Sequence, residues 1–337
     1  MPTKANDVYR LLADVGGTNA RFALLHGDRG RPRNELVLAT IDFPNLADAI
    51  RHYLDECGSP EILEAAIAIA NPITGDWVKM TNHHWAFSIE ETRQRLKFRQ
   101  LKLLNDFTAL ALSLPALSKA ELRQLGGGVA ASGAPYALIG PGTGLGVSGL
   151  FPMGDGRWLP IAGEGGHTTL CASDQREADI IEICREEHGH VSAERLISGM
   201  GLANLYKAIA RLSGALPMKL TPAEIAKRGQ AGTDAFCVEA LDVFCAFLGS
   251  VAGNLALTLG ARGGVYIGGG IVPKLGEYFH QSRFRQRFES KGRFIEYLSP
   301  IPVYVIHTPH PALLGAAIAL GVDPTSHDTI SSNAESS

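Results

Sequence analysis

The sequence predicts a two-domain α/β protein, and three observations lead to this prediction. The chain has 337 residues, of which 45% are hydrophobic, and this suits two domains of ordinary size better than a single core. In both halves, short apolar runs typical of strands alternate with longer segments of helical spacing. Three of the apolar runs end in glycine-rich turns, which mark the ends of elements.

The composition argues against several classes of function. There are 31 basic and 34 acidic residues, so the formal net charge of -3 gives no electrostatic footprint for nucleic acid. The five cysteines form no CxxC pair, and an odd number is a poor disulfide framework, so we expect reduced thiols in a cytoplasmic protein. Residues 1–10 lack the apolar core of a signal peptide. Apolar runs are interrupted well before 18 positions, so we expect no membrane span.

The first half begins with a predicted hairpin, in which strands 11–15 and 21–25 flank a Gly-Gly-Thr-Asn turn. Ser88 and Glu91 have the spacing of a capping box that opens a helix. The pattern predicts further strands at 36–41, 64–70 and 101–104, and helices at 46–57 and 107–114.

The second half repeats the theme after a glycine- and alanine-rich surface loop at 126–135. Its polar, serine-rich tail, residues 323–337, is predicted to be disordered. The pattern predicts strands at 136–139, 147–151 and 264–267, and helices at 176–188, 201–212 and 236–259.

Two glycine-rich turns, 14–18 and 140–144, are candidate phosphate-binding loops. Glycine lets backbone N–H groups approach a phosphate closely, and Thr18 and Thr143 add hydroxyl donors. Asp14 could orient Mg²⁺ through water. An ordinary hairpin turn is the alternative for either segment alone, and neither matches a P-loop or a Rossmann glycine motif. Their similarity hints at a duplicated architecture.

Asn105 and Asp106 lie at the carboxyl end of a predicted buried strand, where α/β sheets bind ligands. A carboxylate there could accept the proton of an alcohol that attacks a phosphoryl group. The alternative is that Asp106 simply caps the helix that begins near Phe107.

A third candidate is the loop 163–167, where Glu164 and His167 stand among glycines and could pair with neighbouring sugar hydroxyls. A metal-ligand role for His167 is disfavoured, because no second ligand lies at a suitable spacing. Glu194 is a further carboxylate candidate, although alone it looks like a surface helix residue paired with Arg195 or a lysine.

Together these segments resemble the bacterial glucokinase family over nearly the whole chain, from about residue 11 to 321. The order and spacing of the segments are specific even though no single one is decisive. The resemblance is carried by residues 11–24 (LLADVGGTNARFAL), 72–77 (PITGDW), 80–83 (MTNH), 105–109 (NDFTA), 142–147 (GTGLGV), 163–167 (GEGGH), 192–195 (SAER) and 263–273 (GGVYIGGGIVP).

The resemblance implies the two-domain fold of actin, hexokinase and heat-shock ATPases, with a ligand cleft between the domains. A small α/β domain would comprise 1–115 and 308–322, and a larger α+β domain would comprise 116–307. The resemblance also implies a cytoplasmic homodimer that transfers phosphate from ATP, with Mg²⁺, to the 6-hydroxyl of D-glucose. The products would be glucose 6-phosphate and ADP, at the entry to glycolysis.

The resemblance also assigns roles to residues by position, with Asp106 as the catalytic base and Gly268 to Gly270 as a turn against the adenosine. The implied sugar-binding residues are Asn105, Asp106, Glu164, His167 and Glu194. The implied ATP-binding residues are Ala13, Asp14, Val15, Gly16, Gly17, Thr18, Gly142, Thr143, Gly144, Gly268, Gly269 and Gly270.

Alternatives remain open from the sequence. The related ROK group of kinases and repressors has a CxCGxxGC zinc motif, whereas residues 168–173 contain only Cys171, so we expect no structural zinc. No helix-turn-helix segment precedes Leu11, which disfavours a sugar-responsive regulator. A kinase for another hexose or an amino sugar, and an actin-type ATP-binding module, remain as competing hypotheses. Polyphosphate remains open as a donor, although the adenosine-like turn favours ATP.

Overall fold

The computed structural model of the chain describes residues 9–27, 30–81 and 83–323. Of the tail predicted to be disordered, residues 324–337 lie outside the described residues. Contacts divide the chain into two compact units. The N-terminal unit contains the described residues up to Leu117 together with those from Pro309 onwards, and the central unit runs from Ser118 to Thr308.

The described residues form strands and α-helices throughout both units. The strands are β1 (Tyr9–Val15), β2 (Asn19–His26), β3 (Arg33–Ala39), β4 (Ile62–Ile69), β5 (Trp77–Lys79), β6 (Ala86–Ser88), β7 (Gln100–Asn105), β8 (Leu122–Gln124), β9 (Tyr136–Pro141), β10 (Leu145–Pro152), β11 (Trp158–Ala162), β12 (Val265–Ile267) and β13 (Val303–Ile306). The helices are α1 (Leu46–Glu56), α2 (Ile89–Arg95), α3 (Asp106–Ser113), α4 (Gln175–His188), α5 (Ala193–Leu196), α6 (Gly199–Leu212), α7 (Pro222–Ala231), α8 (Ala235–Leu259), α9 (Val272–Leu275), α10 (Glu277–Gln281), α11 (Phe284–Glu289), α12 (Ile295–Leu298) and α13 (Pro311–Ala319).

The N-terminal unit is built on a five-stranded sheet in the order β3-β2-β1-β4-β7. The predicted hairpin is confirmed, because β1 and β2 pair antiparallel around the glycine turn. β3 joins β2 antiparallel, while β4 and β7 run parallel to β1. The three parallel strands therefore end at one edge of the sheet.

Helices cover both faces of this sheet. On one face, Phe22 and Tyr53 stack with ring centroids 5.3 Å apart, and the fully buried Trp85 completes the core. On the other face, α13 contributes Leu313, Ala316 and Ala317 to a cluster with the strands. α13 also packs on α3 so closely that a Cβ at Gly315 would overlap the carbonyl of Ala109.

The central unit repeats the strand order of the first. Its six-stranded sheet runs β11-β10-β9-β12-β13-β8. β10 joins β9 antiparallel and β11 joins β10 antiparallel, while β12 and β13 run parallel to β9. The first five strands thus reproduce the arrangement of the N-terminal sheet, and this confirms the duplicated architecture suggested by the two turns. β8 is an addition at the far edge.

The core of the central unit is organised around the 25-residue helix α8. By length and composition α8 could cross a membrane, contrary to the expectation from its interrupted apolar runs, because its mean hydropathy stays at 1.8 despite glycines and polar residues. Of its most apolar stretch, 67% is buried inside the protein, which is the pattern of a core helix. Ile180, Leu205 and Phe284 pack in the same cluster.

Candidate active site

The carboxyl ends of β1, β4 and β7 lie level in the N-terminal sheet. In the register of the strands Val15 is paired with Ile69, and Ile69 is paired with Asn105. The first glycine turn, the segment after β4 and the Asn105–Asp106 pair are consequently neighbours at one edge. This is the edge at which parallel α/β sheets bind ligands.

The first turn is held by backbone hydrogen bonds and by the threonine that directly follows β3. Gly16 N donates to Asn19 O at 2.9 Å, which closes the turn. Thr40 donates from its backbone N to Thr18 O and from Oγ1 to Gly17 O, both at 3.0 Å. Thr40 opens a 3-10 turn just after β3, so the predicted strand 36–41 ends at Ala39.

The fold itself does not demand glycine at position 16. A Cβ there would come no closer than 3.6 Å to Asn19 O, which is ordinary contact, and the residue does not have a positive φ. A glycine that the fold does not require is consistent with a ligand that must approach the backbone closely. Thr18, at the tip of the turn, is exposed.

Asp14 lies opposite Arg21 in the β1–β2 register. Arg21 Nη1 is 3.9 Å from Asp14 Oδ2, too far for a hydrogen bond, and the Asp14 side chain is 28% exposed. Burial raises the pKa of the Asp14 carboxyl, and the positive charge of Arg21 opposes that rise. Asp14 thus places a carboxyl group beside the turn, with the positive charge of Arg21 nearby.

Asn105, rather than Asp106, is the N-cap of α3. Its Oδ1 accepts from Phe107 N at 2.9 Å and from Thr108 N at 3.2 Å. The alternative in which Asp106 serves merely as the cap is therefore wrong. Asp106 is the first residue of the helix, where its Oδ1 also accepts from Phe107 N at 2.9 Å. Its carboxylate lies at the positive end of the helix dipole.

The second turn, in the central unit, links β9 to β10 as the first turn links β1 to β2. Gly142 N donates to Gly144 O at 2.8 Å, and Gly142 O accepts from Gly199 N at 2.9 Å. Gly199 is the first residue of α6, so the turn rests on the N-terminus of a 14-residue helix. Helix N-termini favour anions. Thr143 is exposed at the tip.

The loop with Glu164 and His167 packs on β10 through its glycines. A Cβ at Gly166 would overlap Leu145 O, and one at Gly165 would lie 2.8 Å from Val147 Cγ1. This packing explains why the two residues are glycine. It also carries the exposed side chains of Glu164 and His167 beside the second turn.

Glu194 belongs to the same cluster and is not a surface residue paired with Arg195. Its Oε2 accepts from Leu145 N at 2.8 Å, and its Oε1 is 4.0 Å from His167 Nδ1. The short helix α5 that carries it is placed by the bond from Ala193 N to Thr168 O. Residues predicted separately as sugar and phosphate ligands thus meet in one cluster.

The third turn, Gly268 to Gly270, lies against the end of β9. Gly268 N donates to Ile139 O at 2.9 Å. Gly269 has a φ of +77°, and a Cβ there would overlap Pro141 O. The predicted adenosine turn therefore contacts Pro141, which lies within the second glycine turn.

Three residues beside the two turns were not predicted from the sequence: Arg21 and Thr40 at the first turn, and Gly199 at the second. Arg21 could have been found from the strand register, because residues opposite each other across a tight hairpin are fixed by its turn. Thr40 and Gly199 act through contacts between segments distant in sequence, which no local pattern reveals. Among residues 9–27, 30–81 and 83–323, no group of three His, Cys, Asp or Glu side chains is arranged to hold a metal ion.

Comparison with known proteins agrees with this geometry. The family model for glucokinase matches residues 11–322. The glucokinase of Chromobacterium violaceum is 57% identical over 311 residues, covering 92% of this chain and 89% of that protein. The glucokinase of Aromatoleum aromaticum is 56% identical over 322 residues, covering 95% and 97% of the two chains.

A solved structure gives the same result for the fold. The crystal structure of a glucokinase from an Antarctic psychrotroph has a TM-score of 0.85 and 37% sequence identity, and the match covers 93% of this chain and 98% of that one. The predicted fold class is thereby confirmed. From the family model, the relatives and this structure together, the chain belongs to the glucokinase family.

Proposed function

We propose that this chain transfers the γ-phosphoryl group of ATP to the 6-hydroxyl of D-glucose, with Asp106 as the general base. The observation that carries the proposal is the division of roles at the end of β7. The N-cap of α3 is Asn105, so Asp106 is not needed as the cap of the helix. Membership of the glucokinase family supports the substrate pair.

Asp106 would accept the proton of the 6-hydroxyl as that oxygen attacks the γ-phosphorus in line. Phosphoryl transfer makes little covalent demand on the protein, so positioning and charge stabilisation dominate the catalysis. Asp106 is the first residue of α3, and its Oδ1 accepts a hydrogen bond from Phe107 N. This bond restricts the orientation of the carboxylate. Asn105 would act beside it through its amide nitrogen, because its Oδ1 is used by the cap.

The sugar would also be read by Glu164, His167 and Glu194. Carboxylate and imidazole groups on one loop can accept from and donate to adjacent hydroxyls. A site built from such polar groups discriminates against ligands that leave the groups unpaired. The proximity of His167 to Glu194 supports a shared role for these two residues.

The first two glycine turns would hold the phosphates, and Gly268 to Gly270 would lie against the adenosine. Backbone from Ala13 to Thr18 and from Gly142 to Gly144 supplies the N–H donors for the phosphates. Mg²⁺ would neutralise charge on the phosphoryl oxygens. Asp14, an oxygen donor that is partly exposed beside the first turn, suits its water-mediated placement.

The domain organisation follows from the same proposal. The N-terminal unit would be the small domain predicted as 1–115 with 308–322, and the central unit would be the large domain predicted as 116–307. Family membership also supports a cytoplasmic homodimer. Size-exclusion chromatography with light scattering would test the dimer directly, since a monomeric mass would refute it.

The direct test is release of ADP from MgATP by the purified protein, with and without D-glucose, beside mannose, fructose and N-acetylglucosamine. We expect strong stimulation by glucose. If only a different sugar stimulates ADP release, the chain is still a sugar kinase but its substrate is not glucose. Indifference to every sugar would refute the proposed reaction.

The role of Asp106 is tested by Asp106→Ala and by the isosteric Asp106→Asn. Both remove the base, so we expect turnover to fall by about 10²- to 10⁴-fold in each, the range for general bases. Glucose and MgADP binding, measured by calorimetry, should be retained in Asp106→Asn. Near-normal turnover in either variant would exclude Asp106 as the base.

A further inference from the structure

The two carboxylate oxygens of Glu194 face two different segments of the central unit. Oε2 accepts from Leu145 N, the residue that directly follows the second phosphate turn, at 2.8 Å. Oε1 faces His167 at 4.0 Å from Nδ1. The side chain is 33% exposed, so its contacts are partly shielded from water.

We propose that Glu194 is a positioning residue for the nucleotide, because its carboxylate fixes the second phosphate turn before any sugar is bound. The proposal rests on the proposed function and extends it. In the proposed function Glu194 binds the sugar. The hydrogen bond to Leu145 N gives it a second role, in the affinity for ATP.

The turn is shaped around this carboxylate. A Cβ at Gly144 would overlap Glu194 Oε2, so only glycine at position 144 leaves room for the bond. At Gly142, by contrast, a Cβ would meet nothing within 4 Å. The two glycines of the turn therefore differ, and the one nearer Leu145 is fitted to Glu194.

Two of the supports of the turn tie it to helices, one near each end. At its start, Gly142 O accepts from Gly199 N, which ties the turn to α6. At its end, the Glu194 bond ties Leu145 N to α5. Loss of the second support leaves an amide donor without its charged partner and frees the end of the turn. Hydrogen bonds to charged groups are stronger than neutral ones, so the loss should be measurable.

Two conservative substitutions separate the hydrogen bond from the charge. Glu194→Gln keeps the length of the side chain, and its amide oxygen can still accept from Leu145 N. Glu194→Asp keeps the charge but is one methylene shorter, so its carboxylate withdraws from Leu145 N. A residue that acts through charge alone would tolerate Asp better than Gln.

The experiment is calorimetric titration of each variant with MgADP in the absence of sugar. We expect Glu194→Asp to weaken MgADP binding by about tenfold or more and Glu194→Gln to stay within about threefold of the wild type. Glu182→Gln, at an exposed carboxylate paired with Arg185 on α4, is the matched control and should bind as the wild type does. Thermal unfolding of each variant verifies that the fold is intact.

Several results would overturn the proposal. Unchanged MgADP affinity in Glu194→Asp would show that the bond does not support the turn. Equal losses in Asp and Gln, or a larger loss in Gln, would assign the effect to something other than the hydrogen bond. A wild-type protein that binds no MgADP would refute this inference together with the proposed function. If the wild type binds MgADP and Glu194→Asp binds it equally well, this inference is refuted while the proposed function is not.

Discussion

At the scale of single residues, neighbouring side chains at the end of β7 take different tasks. Asparagine and aspartate are both favoured caps, so the sequence could not decide which of Asn105 and Asp106 serves α3. The decision depends on backbone geometry, in which Asn105 is the last residue of β7 and Asp106 the first of the helix. Likewise no local pattern links Glu194 to Leu145, which lies 49 positions earlier. The residue types of the site were predictable, but its hydrogen bonds were not.

A prediction at the same scale concerns Glu164, which is exposed and caps no regular α-helix. Glu164→Ala should raise the KM for glucose by about tenfold or more through loss of a charged hydrogen bond to the sugar. Exposed substitutions change the free energy of unfolding by no more than about 0.5 kcal/mol, so stability should hold. Steady-state kinetics at saturating MgATP measure the effect, with Glu182→Ala as a control. An unchanged KM for glucose would contradict the sugar-binding role.

At the scale of elements, the long or strongly patterned segments were predictable, and most of the short ones were not. The three-residue strand β12, predicted at 264–267, is an exception. The β1–β2 hairpin, α1 and α8 match the predicted segments closely, because their periodicity extends over many residues. β5, β6 and β8 have three residues each, and α9 and α12 have four, which is too short for a period to emerge. These elements form because of tertiary contacts. β8, for instance, exists only as a partner of β13.

The contact between α3 and α13 yields a prediction about stability. Gly315→Ala would place a methyl group on the Ala109 backbone, which has no free rotamer to give way. We expect a loss of about 1–3 kcal/mol in the free energy of unfolding, as for other overpacked sites. Gly75→Ala is the control, because a Cβ there meets nothing within 4 Å. Urea denaturation distinguishes them, and stabilisation of Gly315→Ala, as helix propensity alone would give, would contradict the packing argument.

At the scale of the whole molecule, one strand order recurs in both sheets. Each sheet also has a glycine turn between two antiparallel strands, β1 and β2 in the first sheet and β9 and β10 in the second. The short similarity between the two turns allowed this duplication to be suggested from the sequence. The strand orders themselves depend on long-range pairings, which the sequence does not display. The domain limits read from the sequence stay a prediction.

A prediction at this scale concerns the pH dependence of stability. Burial of Glu64 opposes its ionisation, but hydrogen bonds from Arg99 and Arg10 outweigh it and lower the pKa of this carboxyl. Stability from Glu64 is therefore present in full above the ordinary glutamate pKa of about 4.3 and is lost as pH falls through the lower folded-state value. Between pH 6 and pH 3 the wild type should lose more unfolding free energy than Glu64→Gln. Exposed Glu61→Gln should follow the wild type, and parallel curves for Glu64→Gln and the wild type would refute the assignment.

The placement of α13 has a consequence for biosynthesis. Its side chains cover Leu12, Leu25 and Ala66 on one face of the first sheet, yet the helix lies after the whole central unit in the chain. A ribosome that adds about 5–20 residues per second needs roughly 10 to 40 s to reach it once residue 117 has been made. During that interval the first sheet of the nascent chain exposes an apolar surface. The helix that covers this surface, α13, is made only near the end of translation. Vectorial synthesis thus makes this face a natural client surface for chaperones, and the N-terminal unit becomes complete only when the chain is nearly finished.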